Sequence, residues 1–211
     1  MYAHNSYFGS PWSGSDSSIA YVKAQLKVCK ATGIKGFVIH LPKNTLEVVI
    51  DVLPRIVHSS VEILLEIPSV KPDPKKSWET PERINALCKA IRKNKIKNTF
   101  ICLDTSHIFA CGRDVSTVKQ AKEWLGSLKY PDMIHMIHLN DSAVPLGANK
   151  DVHAQIGTGH MWKGKKPKKS GMAPFIEFAK EYEIPLILER AGLKNEGMEG
   201  EMKIMKKFKL P

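Results

Sequence analysis

Short runs rich in Val, Ile and Leu recur along the chain, and each gives way to a helical pattern before the next begins. The runs are Phe37 to Leu41 (FVIHL), Glu62 to Ile67 (EILLEI), Thr99 to Asp104 (TFICLD), Met133 to Asn140 (MIHMIHLN) and Pro185 to Glu189 (PLILE), with a partial strand at Met1 to His4. Such alternation is the signature of repeated strand-helix units around a parallel sheet. The intervening helices have readable caps and stripes. Asp16 or Ser17 is expected to accept from the amides of a first turn, Ile19, Val22, Leu26 and Cys29 recur on one face, and Gly33 can close the end. Thr80 followed by Pro81 starts a second helix, with Ile84, Leu87, Cys88 and Ile91 at the spacing of a buried stripe. Val118, Ala121, Leu125 and Leu128 repeat the pattern, as do Phe175, Phe178 and Ala179. No linker divides the chain, so residues 1–211 read as one α/β domain.

The residues that end the runs carry the chemistry. His4, His40, Glu66, Asp104, His138 and Glu189 each lie at or just past the C-terminal end of an apolar run. In parallel α/β barrels sites are assembled on that rim, because strand ends converge there while loops vary. Asp104 and His107 would face opposite sides of a continuing strand, so the chain must turn between them if both serve one site. Asp151 and His153 have the i, i+2 spacing that points both side chains to one side of an extended segment. Any one of these residues has an ordinary explanation as a core histidine, a helix cap or an ion-pair partner. Together they do not, because converging carboxylates cost several kcal/mol each unless cations neutralise them. Five histidines and four carboxylates exceed what a single zinc takes and suit a cluster with bridging carboxylates. The mixed nitrogen and oxygen set favours Zn, with Mn, Fe or Co acceptable, and disfavours the all-oxygen ions Ca and Mg.

Charge narrows the partner. With 32 Lys+Arg against 21 Asp+Glu the formal net charge is +11, a balance that attracts phosphates and makes nucleic acid the leading candidate. Lys163 to Ser170 (KGKKPKKS) reads as a solvated basic loop. No apolar stretch approaches the roughly 18 to 20 residues of a membrane span, and Met1-Tyr2-Ala3-His4 opens no signal pattern, so a soluble intracellular protein is expected. Cys29, Cys88, Cys102 and Cys111 form no Cys-x-x-Cys pair and are expected as reduced, mostly buried thiols.

His4-Asn5-Ser6-Tyr7-Phe8, the His40 strand, Leu65-Glu66, the block from Cys102 to Gly112 (CLDTSHIFACG), His138 to Ser142 (HLNDS), Gly147 to Gly159 (GANKDVHAQIGTG) and Leu186 to Glu189 together resemble the endonuclease IV family of apurinic/apyrimidinic (AP) endonucleases. The resemblance runs nearly the whole length. It implies a xylose-isomerase-like TIM (β/α)8-type barrel holding three Zn2+ ions, with Mn2+ acceptable at one or more sites. The implied reaction nicks double-stranded DNA 5′ to an abasic site and leaves a 3′-hydroxyl, as in base excision repair. On this resemblance His4, His40 and Glu66 hold one ion, and Glu66, Asp104, His138 and Glu189 a second, with Glu66 as the bridge. His107, Asp151 and His153 hold the third. Hydroxide between the Glu66-bridged ions would attack phosphorus in line, with Glu66 and Glu189 as the catalytic carboxylates. Tyr7 and Phe8 match the position that wedges into the gap left by an extruded abasic nucleotide.

The chain departs from the family at its start, where two strand-helix units precede the segment matching His4. About six of eight units are therefore expected, and six strands do not close an eight-strand barrel. Ile67-Pro68 stands where polar residues usually follow the bridging Glu, and the stretch from His40 to Glu66 is short. A monomer is expected, unless a partner supplies the missing units. Two rival readings remain: a xylose-isomerase-like sugar isomerase or epimerase, needing only Glu66, Asp104, His138 and Glu189, and an inactive DNA-binding fragment.

Overall fold

Parallel pairing builds one sheet from the apolar runs. A computed structural model describes residues 1–6, 9–43, 45–58, 60–69, 77–189 and 196–208, with the side chains of 196–198 outside the description. In chain order the elements are β1 (Tyr2–His4), α1 (Asp16–Ala31), β2 (Gly36–His40), α2 (Leu46–Ile56), β3 (Glu62–Glu66), α3 (Pro81–Lys93), β4 (Thr99–Asp104), α4 (Thr105–Ala110), α5 (Val118–Gly126), β5 (Ile134–His138), β6 (Asp141–Ser142), β7 (His153–Ala154), α6 (Met172–Glu181), β8 (Leu186–Ile187) and α7 (Glu196–Lys206). The strand order of the sheet is β1-β2-β3-β4-β5-β8, all parallel, and β6 and β7 form a separate antiparallel hairpin. The expected barrel architecture is met as a six-strand partial barrel. Among the described residues no helix is long and apolar enough to cross a membrane.

The helices form where their stripes demand. Ile19, Val22, Leu26 and Cys29 are all buried on α1, and each fully buried aliphatic side chain stabilises by about 1.5–3 kcal/mol. The cap of this helix is Ser15, whose hydroxyl accepts from Ser18 N, rather than Asp16 or Ser17. Thr80 caps α3 as its Thr-Pro pair predicts, accepting from Arg83 N. The helix α2 fills the short stretch between His40 and Glu66, burying Val49, Val52, Leu53 and Ile56 despite an internal Pro54. The strand β5 is shorter than its sequence run at both ends, and β8 is reduced to Leu186–Ile187. All four cysteines are free and buried.

The two faces of the sheet separate cleanly. Ile63, Leu65, Ile101, Leu103, Ile134, Ile137 and Leu139 pack outward among the helices in the main core. Val38, Leu64, Cys102 and Met136 form a smaller inner cluster, with Tyr2, Phe100 and Ile187 against it. In β5 the outward residues Ile134 and Ile137 are three apart, which strict alternation forbids. The cause is a register shift: Ile101 pairs with Ile134, but Cys102 pairs with Met136, leaving His135 as an extra residue. Beyond the shift Asp104 pairs with His138.

Deleting His135 should therefore regularise the pairing while keeping Met136 opposite Cys102 and His138 opposite Asp104, so the inward face of His138 is retained. Thermal or denaturant unfolding is expected to change by no more than about 0.5–1.5 kcal/mol, the worth of the lost ring contact with Phe100. A much larger loss would mean that the bulge itself, and not only the register beyond it, holds the strand in place.

Candidate metal centre

Register delivers the donors. His40 pairs with Glu66 across β2 and β3, and Asp104 pairs with His138 across β4 and β5. Because Glu66 pairs with Cys102, Asp104 sits one pleat further along, so the donors climb the rim in a stagger. The turn required after Asp104 is the start of α4. The Asp104 Oδ1 accepts from His107 N at 2.8 Å as the helix cap, and one helical turn swings the His107 ring back toward β3. Asp151 and His153 arrive on the β6–β7 hairpin.

The nine side chains singled out in the sequence as possible ligands converge. Glu66 is fully buried and stands at their centre. Its Oε2 lies 2.9 Å from His4 Nε2 and 3.0 Å from His40 Nε2, and its Oε1 lies 3.0 Å from His138 Nδ1 and 3.5 Å from His107 Nδ1. His138 Nδ1 is also 2.9 Å from Glu189 Oε2 and 3.8 Å from Asp104 Oδ2. Asp151 Oδ1 lies 3.0 Å from His107 Nε2 and 3.2 Å from His153 Nε2, and the latter is 3.7 Å from Asp104 Oδ2. Three sets have ligand atoms mutually within 4.8 Å: His4, His40 and Glu66; Glu66, Asp104, His138 and Glu189; and Asp104, His107 and His153. In the third set geometry adds Asp104 to the expected His107 and His153, and Asp151 touches both imidazoles. Tyr7 and Phe8 lie outside the described residues.

The donor set fits cations. His107 Nδ1 donates to Ile67 O at 2.8 Å, His153 Nδ1 to Glu189 O at 2.9 Å, and His4 Nδ1 to Asn5 O at 2.8 Å. A proton held there turns Nε2 toward the cluster, where a bound cation would take the place of the Nε2 proton, as at carbonyl-anchored ligand histidines. The Nε2 atoms of His107 and His153 are buried and lack a hydrogen-bond partner despite their closeness to Asp151. Buried orphans are rare and need an explanation; two imidazole nitrogens converging beside carboxylates, in the arrangement of metal ligands, supply one. The Ile67-Pro68 departure also finds a role through its backbone, since Pro68 O accepts from the Cys111 thiol at 3.5 Å.

The field at the site is strongly polarised. Burial opposes a charge on His107, yet Asp104, the adjacent Asp151 carboxylate and the Glu66 charge push its pKa up to about 10. Burial likewise opposes ionisation of Glu66, but hydrogen bonds from His138, His4 and His40 hold it well below the usual carboxylate range. Glu189 is lowered too, mainly by His138, against its own desolvation. Carboxylates that grip protons on imidazoles this firmly will also attract divalent cations.

Other residues brace the donors. Asn140 is buried between strands: its Nδ2 donates to Asp104 Oδ2 at 2.7 Å and its Oδ1 accepts from Glu189 N at 2.8 Å. Thr105 Oγ1 donates to Asn140 O at 2.7 Å and accepts from Asn140 N at 2.9 Å. Trp12 Nε1 donates to His40 O at 2.7 Å, a support with no forewarning in the sequence beyond a lone tryptophan in a loop. Beside His4 and His40 opens a cleft of about 400 Å³ that Ser6, Trp12 and Lys43 help to line.

Two outcomes follow. Stripped of cations by a chelator, the protein should be most stable between about pH 4.5 and 6.5. His107, raised from 6.5 to about 10, contributes stability that is complete below pH 6.5 and is lost as pH rises through 10. The depressed carboxyls of Glu66 and Glu189 contribute stability that is complete above 4.5 and is lost as pH falls below it. Thermal melting across pH measures this, and stability still climbing from pH 7 to 10 would contradict it. Asn140→Ala should weaken metal affinity by about 10–100-fold while leaving all ligands in place; competition titration with a chromophoric chelator reads the change.

The partial barrel and its rim of donors define a class. A family model described as Xylose isomerase-like TIM barrel matches residues 1–167, and the chain belongs to that family. The "Probable AP endonuclease" of African swine fever virus (isolate Warthog/Namibia/Wart80/1980) is 36% identical over an alignment of 197 residues, with 89% of this chain and 66% of that relative covered. The chain thus spans just under two thirds of its length. The crystal structure of AsfvAP:AG superposes with a TM-score of 0.89 at 32% identity, covering 98% of this chain and 73% of the other. Endonuclease IV from Thermus thermophilus shares the fold, with a TM-score of 0.76 at 21% identity over 98% of this chain and 76% of that one.

Proposed function

We propose that this protein is a zinc-dependent AP endonuclease of base excision repair, hydrolysing the phosphodiester 5′ to an abasic site in duplex DNA and leaving a 3′-hydroxyl. What supports the reading most is the overlap of three donor groups through Glu66 and Asp104. A sugar isomerase needs one four-ligand set and leaves His4, His40, His107, Asp151 and His153 without a task. The 36% identity to a protein named as a probable AP endonuclease points the same way.

In this reading His4, His40 and Glu66 hold one cation, Glu66, Asp104, His138 and Glu189 a second, and His107, Asp151 and His153 a third. When bound, the cations supply Lewis acidity to the phosphate and leaving oxygens and bring the pKa of an attacking water to about 7. The protein residues fix where that chemistry falls. The carbonyls of Asn5, Ile67 and Glu189 keep protons on Nδ1 of His4, His107 and His153, so that Nε2 of each ring points into the cluster where it would meet a cation. Asn140 holds the Asp104 carboxylate and the Glu189 backbone at a constant separation. The net charge of +11 draws the phosphate backbone in.

Incubating the protein with duplex DNA bearing one abasic site should give a nick with a polymerase-extendable 3′-hydroxyl. Prolonged chelation should abolish cleavage and zinc should restore it, while Glu66→Gln should lower it by at least about 10³-fold. Binding without cleavage after zinc is supplied would instead support an inactive DNA-binding fragment.

A further inference from the structure

We propose that the segment from Lys163 to Lys169 is a built phosphate-tracking strip, which grips the backbone of duplex DNA flanking the reaction site and supplies affinity without sequence or damage preference. The proposal rests on the DNA-directed reading above and adds a surface to it.

Within seven residues the strip carries Lys163, Lys165, Lys166, Lys168 and Lys169, all exposed. Among the described residues none of them is paired with a carboxylate in a salt bridge. A solvated surface loop of this charge would ordinarily repel itself into disorder; this one is held at both ends. Upstream, the buried Asp141 carboxylate accepts from the amides of Gly157 at 2.9 Å, Gly159 at 3.1 Å and Trp162 at 3.2 Å, and Met161 and Trp162 are fully buried. Lys163 N donates to Gly159 O at 2.9 Å, so the first lysine stands one turn from the clamp. Downstream, Lys165 Nζ donates to Ser116 O at 3.1 Å and Gly171 N to the same carbonyl at 2.9 Å. A short turn over Pro167–Lys169 separates the two anchors.

Placement gives the strip its purpose. Asp141 follows Asn140, which bonds Asp104, so a short chain of contacts links the strip to the donor rim. Ser116 lies just before α5 and Gly171 just before α6, so the strip runs past the N-terminal ends of two helices, on the same end of the barrel as the strand C-termini. Both helix ends add partial positive charge. A duplex seated on the rim presents one charge per roughly 1.7 Å of axis, and a row of exposed lysines on an anchored loop beside it can neutralise several phosphates in succession, whatever the sequence of the bases.

The test is equilibrium binding of the metal-loaded protein to an intact duplex across a salt series. A variant carrying Lys163→Gln, Lys166→Gln, Lys168→Gln and Lys169→Gln spares the Lys165 anchor. It should bind more weakly, with a log K against log salt slope shallower by about 2–4, at roughly 0.9 for each phosphate no longer neutralised. The matching Lys→Arg variant should keep the parent slope, and cleavage of an abasic duplex at saturating DNA should run at the parent rate in both. An unchanged slope in the Gln variant overturns the proposal. So does an Arg variant that loses as much as the Gln variant, since the effect would then be structural. If the parent itself cleaves no abasic duplex, the nuclease reading fails while the slopes still decide on the strip.

Discussion

A carboxylate with no exposed surface is costly unless charge surrounds it, on the order of several kcal/mol for each buried ion. Glu66 is such a group, and the rim of the barrel is organised around its neutralisation. Imidazoles reach its two oxygens from β1, β2 and β5, with a further ring from α4 close by. Three strands and a helix must therefore be in place before Glu66 can be buried ionised. This makes the centre a product of tertiary structure rather than of any local segment, and it explains why the donors are dispersed from residue 4 to residue 189.

The sheet meets that demand with register and one irregularity. Parallel pairing puts His40 beside Glu66 and, one pleat higher, Asp104 beside His138. The second pairing exists only because β5 leaves one residue, His135, out of the ladder. That residue is itself secured: the His135 ring stacks on Phe100 with centroids 3.4 Å apart, and its Nδ1 lies 3.5 Å from Glu62. A bulge at the far end of a strand thus decides which face His138 presents, in keeping with the clustering of bulges near sites.

Much of this was legible from residue order. The apolar stripes of α1 and α3 lie where their spacing predicts, because burial against a sheet selects one helical face. The strand ends announced the donors, since polar residues closing apolar runs have few other reasons to be there. The i, i+2 spacing of Asp151 and His153 agrees with their meeting at 3.2 Å. Other features were not legible. Pro54 masked α2, and Ser15 caps α1 in place of the acidic neighbour that sequence favours. The shift at His135 is written only in the three-residue repeat MIHMIH, which fits the two-residue period of a strand once one residue is left out of the pairing, and that choice waits on the partner's register. The place of Asp104 beside both His138 and His153 likewise depends on three-dimensional closeness that no spacing rule encodes.

Asp141 shapes how the molecule meets a ligand. Its carboxylate takes amides from Gly157, Gly159 and Trp162 as well as from Ser142, closing the long connection between β5 and α6 into one folded body. That body carries Asp151 and His153 at one end and the lysine strip at the other. The entropy lost in ordering it is met during folding, so a substrate arriving at the rim encounters a preorganised surface. A change in that single buried carboxylate would shift the ordering cost from folding to encounter.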